Sequence, residues 1–294
     1  MSKQQRTVYV SDFNETNLSP DKTESQFNFY QLEKEHTKAF SLIKKFDYVI
    51  DLERMKRILD NQMKLAAIFT KQLSLKEFRG LTHDSNILVE ANLWKTPVIL
   101  HGMLFLIKNG YFGSARVLAR QCFETLIYAK YSWLDKSMAT KYSNKKVGYD
   151  QSNNLTINYV FKSLGQKKGS LQTKYSKLCD FDHPTIYSQQ LPLSLESVEE
   201  KRYFIDLISY TTDLLFTLML MNLHFLNLVN RQTRGVCFGY YDDVPGKSAR
   251  IKKLKTDIKN EIKAHYKVRV KFQTPKEEIK EIKMTARSFS RKWA

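Results

Sequence analysis

Apolar residues recur every three or four positions along most of this chain, a spacing that lines them up on one face of a helix. Between Leu52 and Leu73 the set is Leu52, Met55, Ile58, Leu59, Met63, Ala66 and Ala67, with charged residues on the other faces. A helix is expected there, with a second one, or the other half of a single bent one, from about Phe29 to Phe46. After the loop Arg79-Gly-Leu-Thr-His-Asp-Ser, Asp84 or Ser85 is placed to cap a helix running through Leu93 and Leu100 to Ile107. Pro97 lacks a backbone N–H and crowds the preceding turn, which predicts a kink or break near Thr96. Asn109-Gly110 then turns the chain. Ala115, Leu118, Cys122, Leu126, Ala129 and Trp133 carry the next apolar face, so the two helices should form an antiparallel hairpin. The longest apolar segment, Glu196 to Asn230, is apolar on most faces in its second half and reads as the central core helix.

Elsewhere the pattern weakens or changes sign. Lys141 to Lys177 holds eight lysines against one acid, Asp150, with Gly165 and Gly169 as breakers, and reads as a flexible or nucleic-acid-facing loop region. In the segment Tyr175 to Ser188, Pro184 pushes His183 out of helical geometry and suits the first position of a following helix. Ile251, Leu254, Ile258, Ile262 and Tyr266 form one stripe along a strongly basic helix; Ile279, Ile282, Ala286, Phe289 and Trp293 suggest a second. There is no internal repeat. The fold class is all-α, a multi-helix bundle with a basic C-terminal helical extension. Residues 1–30 form a polar N-terminal arm, 31–240 the helical bundle domain and 241–294 the basic amphipathic extension.

Composition sharpens this. A chain of 294 residues with 42% apolar and 13% aromatic content can bury a full core. Its formal charge of +18 and pI near 9.6 favour a polyanionic partner, unless the charge follows only from a Lys- and Asn-rich composition. Residues 247–294 alone carry sixteen Lys and Arg against five Asp and Glu. Cys122, Cys179 and Cys237 are odd in number and far apart, which suggests neither a disulfide framework nor a zinc site and fits a reducing cytoplasm. The N-terminus lacks the continuous apolar core of a secretory signal. Leu214 to Val229 is the best membrane candidate, but it is short and carries Asn222, His224 and Asn227, so a buried helix is the preferred reading.

Three polar features carry candidate chemistry. Arg116, Arg120, Glu124 and Tyr128 follow one another at steps of four, and two like charges one turn apart gain most if an anion or a buried acid lies near Arg116. This ridge reads either as a phosphate-binding or general-acid site, or as a salt-bridge network joining helices. His183 stands beside Asp180 and Asp182 at a helix boundary, where an imidazole can be oriented by a carboxylate, or where either residue can cap the helix that begins at Pro184. Lys252, Lys253, Lys255, Lys259, Lys263, Lys267 and Arg269 form the basic helix, with Tyr266, Phe272, Phe289 and Trp293 as aromatics able to stack on bases. The alternatives for that helix are a stripe docked on the body or on another subunit, or a helix lying on a membrane. His83, His224 and His265 read as loop, core and surface residues. Asp242-Asp243 reads as a solvated turn rather than a metal site. No Walker loop, H-E-x-x-H, G-x-S-x-G or Rossmann fingerprint is present, and no cofactor is expected.

The pattern N-G-Y-x-x-x-A-R-x-L-x-R-Q-x-F-E-T from Asn109 to Thr125, followed by Y-x-x-L-C-x-x-x-H-P from Tyr175 to Pro184, resembles a large bacterial all-helical family of unknown function. That family carries an R-x-x-F-E helix and a later L-[SC]-x-x-x-H segment, and the match covers about the middle third of the chain. The resemblance implies that Arg120, Glu124 and His183 converge, with Tyr128 and Tyr175 as neighbours, and suggests an antiviral-defence or toxin-like setting. Cys179 stands where the family more often has Ser, which removes a hydroxyl at that point. The bundle is also distantly similar to the HEPN ribonucleases, but their R-x(4–6)-H motif is missing: Arg79 and His83 are one residue too close. The resulting expectation is a cytoplasmic, nucleic-acid-associated effector, RNA or DNA, extending to a metal-independent nuclease that uses Arg116, Arg120, Glu124 and His183. The alternative is a non-catalytic helical module docking a partner protein, a second copy of itself or nucleic acid through its tail; a membrane is the least favoured partner.

Overall fold

The computed structural model describes residues 51–73, 83–135, 170–182, 198–236, 247–271 and 276–290, with isolated positions at 41, 137, 157, 160 and 161. Among these the protein is an all-α multi-helix bundle. Its helices are α1 (Leu52–Leu73), α2 (His83–Lys108), α3 (Phe112–Leu134), α4 (Ser170–Asp182), α5 (Val198–Val236), α6 (Lys247–Lys271) and α7 (Lys276–Ser290), with no strand among the described residues. The N-terminal arm, the segment Phe29 to Phe46 (Ser41 excepted), His183, Asp242-Asp243, Phe272 and Trp293 lie outside them.

The α2–α3 hairpin forms as its pattern predicts, and its turn shows why. Gly110 takes a φ of 82°, its N–H donates to Ile107 O at 3.1 Å, and the Tyr111 N–H donates to Leu106 O at 2.8 Å. Those two bonds satisfy the last carbonyls of α2 in a left-handed cap that only glycine adopts without strain. Two local expectations change. α2 begins at His83, so Asp84 and Ser85 fall inside its first turn and neither stands at the cap position; of the kink or break expected near Thr96 there is no break, since the helix runs through Pro97. Pro97 and Thr96 are buried, and packing of α2 against α1, α3 and α5 outweighs the lost backbone bond.

α5 is the hub, packed against α1, α2, α3 and α7. Its segment Asp206–Arg231 is long and apolar enough to cross a membrane by composition, yet 78% of its most apolar 18-residue stretch is buried inside the bundle. Polar residues within it are used internally. Asn222 Nδ2 donates to Gln62 Oε1 and Gln62 Nε2 donates to the Met219 carbonyl, both at 2.8 Å, so two fully buried amides join α1 to α5.

The C-terminal helices pack on the body. α6 lies along α1, burying Ile251, Leu254 and Ile258, with Ile262 and Tyr266 against the core; α7 lies on α5 and α4, burying Ile279, Ile282, Ala286 and Phe289. Arg57 clamps the α1–α6 contact with both nitrogens of its fork on Glu261, at 2.8 and 3.2 Å. His265, expected at the surface, is 1% exposed and stacks on Phe216 with ring centres 4.2 Å apart. The lysines around it hide that it belongs to the apolar face one turn beyond Glu261. Residues Ser170 to Lys177, expected to be irregular, begin α4, whose Leu171, Lys174 and Leu178 are buried.

Candidate functional site

The polar ridge of α3 faces three other helices. Arg116 is 7% exposed; its Nε–H points at Thr211 Oγ1 of α5, 3.4 Å away, and its guanidinium lies over the Tyr210 ring at 5.4 Å. One turn on, Arg120 Nε donates to Glu124 Oε1 at 3.0 Å, and Tyr175 Oη of α4 donates to the same oxygen at 2.9 Å. The Arg120 guanidinium also sits 5.8 Å from the Tyr175 ring centre. Tyr175 is held in turn by Phe123, stacked at 5.9 Å, and by Phe161, edge-on at 5.9 Å. Tyr128, the last residue of the ridge, packs half-buried against the core.

A second ion pair extends the seam. Lys174, 4% exposed, donates to Glu281 Oε1 of α7 at 3.2 Å, with its ammonium 5.4 Å from the Tyr210 ring centre. Tyr210 thus receives a cation from α3 and another from α4. Burial pushes the Tyr175 phenol well above its ordinary range, and its hydrogen bond to Glu124 adds to this. For Arg120, burial works against the charge but the Glu124 bond overrides it and raises the guanidinium further. The seam therefore sets the Glu124 side chain between a permanent cation and a phenol that keeps its proton.

Arg120 and Glu124 are thus brought into one network with Tyr175, while Arg116, one turn earlier, is held by Thr211 and Tyr210. His183 begins one residue past the end of α4 and lies outside the described residues. Lys174, Tyr210, Thr211 and Glu281 complete the seam and were not legible as site residues. Lys174 and Glu281 are 107 positions apart, and only the Leu171-Lys174-Leu178 spacing marks Lys174 as facing inward. Among the described residues no three His, Cys, Asp or Glu side chains gather as metal ligands.

The outer face of α6 is a different kind of site. Lys252, Lys253, Lys259, Lys263 and Lys267 are all exposed. At 100° per residue they fall within about 120° of arc, opposite the stripe that packs on α1. None of the five has a carboxylate partner among the described residues. From Lys252 to Lys267 the face runs about 22 Å along the helix axis. Lys255 departs from the set: it is half-buried and turned toward α5 and α7. The side chain of Arg269 lies outside the described residues. Comparison of the chain with protein-family models, with curated proteins and with solved structures finds no match in any of the three.

Proposed function

We propose that this protein is a nucleic-acid-associated helical module that contacts the phosphate backbone through the outer face of α6. The observation that carries the reading is the row of five exposed lysines, with no carboxylate partner among the described residues, held on a helix whose opposite face is buried. Such a row neutralises successive phosphates and releases condensed counterions, which gives affinity without sequence preference. The α3–α4 seam serves as the brace of the bundle in this reading, because its charges are spent on one another.

The test is a salt titration of binding to short single- and double-stranded RNA and DNA. Deleting the C-terminal helices would strip Ile258, His265 and Phe289 from the core, so point variants are required. Lys252→Gln, Lys259→Gln and Lys263→Gln combined should lower the slope of log affinity against log salt by about three for duplex DNA. An unchanged slope removes α6 as the contact.

A second reading is favoured by the convergence of Arg120, Glu124 and Tyr175, the last on the helix that ends one residue before His183: a metal-independent nuclease centre. In it Arg116 and Arg120 hold a phosphate, His183 transfers a proton and Glu124 orients one of them. It expects His183→Ala to fold normally and lose cleavage of any oligonucleotide the wild type cleaves. Cleavage that survives the substitution eliminates it.

A further inference from the structure

A cavity of about 510 Å³ opens between α3, α5, α6 and α7, away from the seam and from the outer face of α6. Its charged lining is of one sign. Lys130 of α3, Arg231 of α5 and Lys255 of α6 contribute cations, His224 of α5 an imidazole, and among the described residues no Asp or Glu takes part. Asn227 and Ser290 add neutral donors and acceptors, and Phe289 forms an apolar wall.

Lys130 is what makes this more than a basic hollow. It is 5% exposed, its ammonium lies 4.4 Å from the centre of the Phe289 ring, and no carboxylate among the described residues faces it. Lys174, the other buried lysine, has Glu281 at 3.2 Å. Burial lowers the Lys130 ammonium to about 8, and burial together with the charge of Lys130 lowers the His224 imidazole below its usual value. A buried cation without a counterion costs free energy that an anion in the cavity would recover through charge-assisted hydrogen bonds.

We propose that this cavity binds a phosphate ester of mononucleotide size, its phosphate at Lys130 and its flanks at Lys255 and Arg231. A phosphate ester offers several oxygens that can accept hydrogen bonds from Lys130, Lys255 and Arg231 at once, which a carboxylate with two oxygens does less well. The volume lies within the range of about 300–1,000 Å³ that small-ligand sites occupy, and exceeds what a free phosphate fills. This site is independent of nucleic-acid binding by the outer face of α6, and either can fail alone.

The experiment is isothermal titration calorimetry on the full chain at low salt, with AMP, inorganic phosphate and adenosine as probes. AMP should bind with a submillimolar Kd, inorganic phosphate more weakly and adenosine not at all. Lys130→Met keeps the length of the side chain and its contact with Phe289, and should weaken AMP by about tenfold or more. Should that variant fail to fold, judged by circular dichroism, Lys255→Gln with Arg231→Gln should weaken AMP to a similar degree. The triple glutamine variant of the outer face should leave AMP affinity unchanged, and Lys130→Met should leave the salt slope for nucleic acid unchanged. Absence of heat with AMP up to about 10 mM overturns the proposal. So does adenosine binding as well as AMP, inorganic phosphate binding equally, or AMP affinity indifferent to both sets of substitutions.

Discussion

The α3–α4 seam and the outer face of α6 are both built from cations at helical spacing, yet the protein uses them in opposite ways. In the seam, Arg120 and Lys174 each meet a carboxylate, Glu124 and Glu281, the first pair half-buried and the second with its lysine buried. On α6, five lysines meet only solvent among the described residues. Helical periodicity alone does not separate the two cases, because a step of four brings charges onto one ridge whether that ridge faces inward or outward. What separates them is the flanking apolar pattern. Around Arg120 apolar residues occupy several faces, whereas on α6 they keep to one stripe.

The largest expected effect tests the outward side of this contrast. Reversing charge with Lys252→Glu, Lys259→Glu and Lys263→Glu should reduce nucleic-acid affinity by about three orders of magnitude or more at about 0.1 M salt. Because those side chains touch nothing in the fold, urea unfolding should shift by less than about 0.5 kcal/mol. A large loss of stability in this variant would mean that the lysines are structural after all.

The inward side of the same helix carries the next effect. Both ring nitrogens of His265 are buried with no hydrogen-bond partner among the described residues, and burial, with Arg54 nearby, holds the imidazole down to about 4. The unfolded chain, with an ordinary imidazole near 6.5, therefore binds the proton first as pH falls. Stability contributed by the neutral ring is fully present above about 6.5 and is lost as pH drops toward about 4, by on the order of 3 kcal/mol. His265→Leu should flatten this limb in urea unfolding measured at stepped pH, and should leave nucleic-acid binding at neutral pH unaltered. An acid limb that persists unchanged in His265→Leu would place the titrating group elsewhere.

Glu124→Ala tests the seam. It removes the shared acceptor of Arg120 and Tyr175, leaving a half-buried cation and a phenol to find other partners, and should cost about 2 kcal/mol in urea unfolding. Nucleic-acid affinity should stay within about twofold of wild type, since the seam lies off the α6 face. Normal stability combined with lost oligonucleotide cleavage would transfer the seam from brace to catalytic centre.

Much of this arrangement was legible in the residues. The hairpin at Asn109-Gly110, the hub segment and the apolar stripes of α6 and α7 all follow from spacing, because each buries a single repeated face. The resemblance implied that Arg120, Glu124 and His183 converge with Tyr128 and Tyr175 as neighbours; the structure joins Arg120, Glu124 and Tyr175, and His183 lies outside the described residues. His265 and Lys174 were missed for a common reason: each is a polar side chain occupying an apolar position, and composition around it outvotes its register. The cavity at Lys130 was missed for another. Its lining comes from four helices, and no local pattern records which helices will be neighbours.

The smallest effect marks the edge of the α6 face. Arg57 of α1 is exposed and close to α6, so it looks like an extension of the lysine row. Its fork is already engaged with both oxygens of Glu261, and that hydrogen bond, against the opposing effect of burial, raises its guanidinium above the ordinary value. An arginine whose charge is matched in this way has little left to exchange for condensed counterions. Arg57→Ala should therefore leave the salt slope of nucleic-acid binding unchanged while lowering stability by about 0.5 kcal/mol at low ionic strength and by less at high salt. A slope reduced by about one would instead extend the contact onto α1 and show that the Glu261 pair opens when a phosphate arrives.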